Sequence, residues 1–149
     1  MKGAAELMTT CDQERFPTVE AFESGTLDPE AFDHQAHVFI AWKLLEKNSL
    51  DRATSKFLSA LKRLTAALGI ESKYHETISC FYMTLIAERR TGQAGQTWAD
   101  FAGSNPDLLG PSVVLLEQHY TPDRLWSDQA RRQFLLPDKT CQAVNDKGI

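Results

Sequence analysis

Residues 50–69 read LDRATSKFLSALKRLTAALG, and this stretch decides the fold. At about 100° per residue, Leu50, Phe57, Leu61, Leu64 and Leu68 fall on one face of a helix, backed by Ala53, Ala60 and Ala67. The opposite face carries Arg52, Ser55, Lys56, Ser59, Lys62 and Arg63, and Gly69 supplies the stop. A helix with one apolar stripe must bury it against other elements, and the flanking sequence offers only more helices. Upstream, Asp28-Pro29-Glu30 reads as a helix start, with an aspartate to cap and a proline at the first helical position, and the helix is expected to run to about Asn48. Before it, Phe16-Pro17-Thr18 opens a short helix through Glu23, closed by Gly25.

Downstream, residues 74–90 are expected as another long helix, stopped by Gly92 and followed by a polar loop over 93–95. The pieces then shorten: 97–102, 111–119 and 127–134 are expected as short helices. Turns at Ser104-Asn105-Pro106 and Thr121-Pro122-Asp123 separate them. No segment alternates with period two long enough to propose a strand. The expected fold is therefore all-α: one domain over residues 16–138, three longer helices closed by several short ones, packed mostly antiparallel because their connections are short. Residues 1–15 and 139–149 lack apolar periodicity and are expected to be a disordered N-terminal tail and a flexible C-terminal one.

The composition narrows the function. The chain of 149 residues is 42% hydrophobic, enough for one core. A net charge of -4 leaves no basic field for a nucleic-acid backbone, so no nucleic-acid partner is expected. No apolar run approaches the roughly 18 residues of a membrane span, and residues 1–10 lack the order of a signal peptide, so the expected location is cytoplasmic, away from membranes. Three cysteines, Cys11, Cys80 and Cys141, are an odd number at wide spacings, which fits neither a disulfide framework nor a paired zinc knuckle; they are read as reduced thiols, Cys80 as core filling.

The chemistry-bearing residues are histidines. His34 and His37 stand three apart on the expected second helix, sharing a face with Ala41, Leu44 and Leu45, so both imidazoles point inward toward one place. Glu30 lies four residues before His34 on that face. His75, in the expected first turn of the 74–90 helix, shares a face with Ile78, Ser79, Tyr82 and Ile86. If the chain runs up, down and up through its long helices, the two N-terminal ends lie together and His75 joins the pair. Three imidazoles with open positions suit copper or iron, or zinc, and such an ion can activate water or handle electrons. Glu76, Tyr82 and Tyr74 would then be neighbouring proton-transfer or positioning groups, and Arg89, further along the Tyr82 stripe, a contact for an anionic small-molecule substrate. The bland alternative is that each histidine is a satisfied core residue; His119, at an expected helix C-terminus, is read as a complement to the dipole. Trp42, Trp98, Trp126 and the phenylalanines are read as packing residues. Phe32 and Phe39 fall toward the polar side of their helix and are expected to be covered by the C-terminal short helices or to form a homodimer contact.

Phe32-x-His34-x-x-His37 leading into Ala41-Trp42, then Tyr74-His75-Glu76-Thr77-Ile78, Asn105-Pro106-Asp107-Leu108-Leu109, Ala130-Arg131 and Phe134-Leu135-Leu136-Pro137-Asp138 resemble segments of a group of small uncharacterised bacterial proteins. The likeness spans roughly residues 16–138 and includes all three inward histidines. It implies membership of that group and carries no activity with it. Two functional expectations stand side by side. One is a small metal-dependent enzyme with His34, His37 and His75 as ligands, an oxidoreductase rather than a hydrolase. The other is a non-catalytic helical module that binds a small ligand or a protein, its histidines hydrogen-bonded within the core.

Overall fold

The structure, a computed structural model, describes residues 16–92 and 95–139. Among them there are helices and no strands, as the patterning predicts. Three longer helices form the frame: α2 (His34–Lys47), α3 (Leu50–Ala67) and α4 (Glu76–Arg90). Each packs on the other two. Around them lie α1 (Val19–Ser24), α5 (Trp98–Ser104), α6 (Pro106–Leu109), α7 (Ser112–Glu117), α8 (Pro122–Leu125) and α9 (Asp128–Arg132). α1 closes against α2 and α3, α6 against α2, and α9 against α4.

The middle of the α3 stripe is buried as read, with Ala53, Phe57, Ala60, Leu61 and Leu64 inside, whereas Leu50 at its start and Ala67 and Leu68 at its end are exposed. Ser49 caps the helix by accepting the Arg52 N–H. Gly25, at φ 79°, ends α1 in the left-handed region, which suits glycine because it has no Cβ to clash.

Two helix starts differ from expectation. Asp28 does cap, but what it caps is a 3-10 turn, Pro29–Ala31, which stops at Phe32. A second aspartate, Asp33, accepts the Ala36 N–H and starts α2 only at His34. Glu30 therefore belongs to an exposed turn and not to the histidine helix. Likewise α4 starts at Glu76, with His75 as its cap. The two expected turns at Asn105-Pro106 and Thr121-Pro122 each wind on into one further turn of helix, α6 and α8, because proline is pre-set for the first helical position.

Phe39 is buried. It stacks on Phe16 at 4.8 Å and meets the edge of Trp98, the first residue of α5, at 5.1 Å, so the later short helices cover it as one of the two expectations had it. Lys139, placed by the sequence reading in a flexible tail, donates its N–H to His119 O and its Nζ to Glu117 O. The expectations for residues 1–15 and 140–149, with Cys11 and Cys141, lie outside the described residues. No helix among the described residues is long and apolar enough to cross a membrane.

Candidate functional site

The inward pair is real as geometry. His34, in the first turn of α2, and His37 stand with ring centroids 6.3 Å apart, both beside the ring of Tyr82 on α4, at 5.0 and 6.3 Å. Phe57 of α3 lies 4.5 Å from His37, and Phe32 stacks on it at 5.9 Å. An imidazole in so apolar a surround loses the water that would stabilise its charge. Burial therefore draws the His37 pKa down to about 3, and the neighbouring His34 adds to the effect. His37 is neutral at pH 7.

The pair differs in its bonding. The Nε2–H of His34 donates to Leu108 O at 2.7 Å, tying the start of α2 to α6. Among the described residues His37 Nε2 is buried without a hydrogen-bond partner, as are Trp42 Nε1, Arg90 Nε and Gln96 Oε1. Buried polar atoms are nearly always paired, and of these four only the His37 nitrogen belongs to the histidine pair.

His75 is not brought to the pair. Its Nδ1 accepts the Ile78 N–H at 3.2 Å, which is the cap of α4, and its Nε2–H donates to Leu125 O at 2.7 Å. Trp126 packs edge-on at 5.7 Å. Both ring nitrogens are thus occupied, and desolvation lowers the pKa, keeping the ring neutral. The level mismatch has a simple cause. α3 has 18 residues and α2 has 14, so at about 1.5 Å per residue α3 descends some 6 Å further than α2 climbs. The chain then adds the 3-10 turn Glu71–Lys73 before α4 begins. What reaches the level of His34 is Tyr82, seven residues or about 10 Å along α4 from His75.

The other expected site residues are engaged elsewhere. Tyr82 is fully buried, donates its hydroxyl to Ser112 O at 3.2 Å, and is held neutral by burial with the field of Asp107. Glu76 accepts the Tyr74 hydroxyl and lies 3.8 Å from Lys62 Nζ. Arg89 makes two parallel bonds to Asp107, at 3.0 and 2.8 Å, and a third to Asn105 Oδ1 at 2.7 Å, so its charge is already matched. That pairing raises the Arg89 pKa and lowers that of Asp107. His119 lies against Phe81 at 5.0 Å, its pKa lowered by burial and then by Arg89. Among the described residues no group of three or more His, Cys, Asp and Glu side chains is placed to hold one ion.

A concave site lies elsewhere, between α1, the second half of α2 and the first half of α3. It is a groove of about 390 Å³, within the roughly 300–1,000 Å³ typical of small-ligand sites. Its apolar lining includes Pro17, Val19, Phe39 and Leu44. Glu20 and Glu23 stand on the α1 side, Lys43 and Lys47 on α2, and Lys56 on α3. Lys56 lies on the polar face of α3, as its sequence pattern predicts, and the docking of α1 across α2 and α3 brings it round one hollow with the charges of the other two helices. Comparison with known proteins gives no relative: no protein family, no curated protein and no solved structure matches the chain.

Proposed function

We propose that the protein is a non-catalytic helical binding module whose ligand site is the groove between α1, α2 and α3, with His34 and His75 serving as internal hydrogen-bond donors. The observation that carries this reading is the use of the imidazoles: two of the three spend an Nε2–H on a main-chain carbonyl of the short helices, at 2.7 Å each. The amphipathic hollow, by contrast, is open and of ligand size. The test is an amide NMR titration with 2-naphthol, an apolar dye that is uncharged at neutral pH. Shifts centred on Val19, Lys47 and Lys56 support the module, and an unchanged spectrum at millimolar dye overturns it.

A second reading rests on the unpartnered Nε2 of His37. It keeps a transition-metal ion, copper or iron before zinc, on His34 and His37, with Tyr82 beside it and a small molecule as substrate of an oxidoreductase. Neutral imidazole is the liganding form, and His37 is neutral at pH 7. For His34 to ligate through Nε2 it must release Leu108 O. Elemental analysis after anaerobic dialysis against copper(I), iron(II) and zinc(II) decides: near-stoichiometric metal lost in His37→Ala supports this reading, and none bound removes it.

A further inference from the structure

Resting on the groove being a ligand site, we infer that the ligand class it fits is a small zwitterion with an apolar body, an apolar α-amino acid being the simplest member. Six charged side chains line the groove, and Lys43 and Glu46, both on α2, neutralise each other; the four that remain are split by wall. Glu20 and Glu23, three apart on α1 and so on one face, supply the acidic side; Lys47 of α2 and Lys56 of α3 supply the basic side. Lys43 belongs to neither wall as a free charge, because it is paired with Glu46 at 3.3 Å on its own helix. None of the other four lies within 4.0 Å of an opposite charge among the described residues, although all four line the same hollow.

Unclosed opposite charges across an apolar floor define what completes them. A pure anion that reaches the lysines also faces two carboxylates, and a pure cation faces the reverse. At close range each like-charge approach costs what the opposite one gains. A zwitterion lying across the groove meets attraction at both ends. Its ammonium is directed to Glu20 and Glu23 and its carboxylate to Lys47 and Lys56. Phe39 and Leu44 beneath accept the apolar side chain, which binds by leaving water. The four protein charges sum to zero, so the affinity draws on the arrangement of charge and not on a net field.

The experiment is isothermal titration of the full chain at low ionic strength with L-phenylalanine, phenethylamine, which lacks the carboxylate, and 3-phenylpropanoate, which lacks the amine. The expected result is phenylalanine binding at least about tenfold tighter than either analogue, an advantage of one decade in Kd. The double variant Lys47→Gln/Lys56→Gln weakens phenylalanine about tenfold and leaves phenethylamine no weaker; Glu20→Gln/Glu23→Gln does so with 3-phenylpropanoate spared. These substitutions are on the surface, and unchanged thermal unfolding confirms that the fold is kept. Amine or acid binding as tightly as the amino acid overturns the zwitterion while leaving the groove a ligand site. Silence from all three compounds together with an unchanged dye titration overturns both readings. Phenylalanine binding that neither double variant alters also overturns the inference.

Discussion

His75 shows how much one side chain does here. It caps α4 through Nδ1 and holds Leu125 O through Nε2. A lost cap costs about 1 kcal/mol and a buried carbonyl left unsatisfied about 1–3. His75→Ala is therefore expected to lose about 2–4 kcal/mol in urea unfolding. Its neighbours set a pH dependence. His37 and His75 have folded pKa values below the ordinary histidine value, so as pH falls through about 6.5 the unfolded chain takes up protons that the folded chain refuses. Stability is complete above that value and declines on the acid side, for His37 down to about 3. Urea midpoints should drop between neutral pH and pH near 4.5, and His37→Leu should flatten the decline; an equal drop in the variant removes His37 as its cause. At this scale the sequence shows that His34, His37 and His75 turn inward, since periodicity reports faces. It does not show what they meet, because the partners are main-chain carbonyls 74 and 50 residues away, and a carbonyl carries no residue-specific signal.

Between neighbouring residues and the whole chain, the long helices are the legible part. The stripe from Phe57 to Leu64 names α3 and its buried face without ambiguity. Starts are harder, because Asp28 and Asp33 both offer a capping carboxylate and a proline follows the first. Asp33 governs α2, so Asp33→Ala should cost about 1 kcal/mol, measured by thermal or urea unfolding, and Asp28→Ala, which loosens only a 3-10 turn, distinctly less. Equal losses would mean that the helix does start at Asp28. The four-residue α6 and α8 escape any periodic reading, since one turn of helix is shorter than the window in which 3.6-residue spacing can be detected. They matter nonetheless: Leu108 lies in α6 and Leu125 in α8, and these supply the acceptors for His34 and His75.

In the molecule taken together, the unequal lengths of α2 and α3 decide which residues share a level, and this is why Tyr82 and not His75 stands beside the pair. The number of long helices is readable from sequence; a vertical offset of about two turns between His75 and Tyr82 depends on where each helix actually starts and ends. The later segments are fastened to the frame by a few long-range bonds. Tyr120 donates its hydroxyl to Leu135 O at 2.7 Å in the interior, and burial pushes that hydroxyl up to about 12. Tyr120→Phe should cost about 1–3 kcal/mol and speed amide exchange at Leu135 and Lys139, with little change in α3. Arg89→Ala cuts a half-exposed pair with Asp107 and also strands the Oδ1 of buried Asn105, so it should cost about 1–3 kcal/mol, of which only the Asp107 share shrinks as salt is added. The histidine clips to Leu108 and Leu125 also impose an order in time. Helices of four to six residues do not persist alone, so α6 to α9 can form only on a frame that already exists. On the ribosome, residues 34 to 90 can emerge and pair as three helices while the carbonyls that hold His34 and His75 are still enclosed in the exit tunnel. The newborn frame therefore carries two loose imidazoles at its surface until its own C-terminal third arrives to claim them.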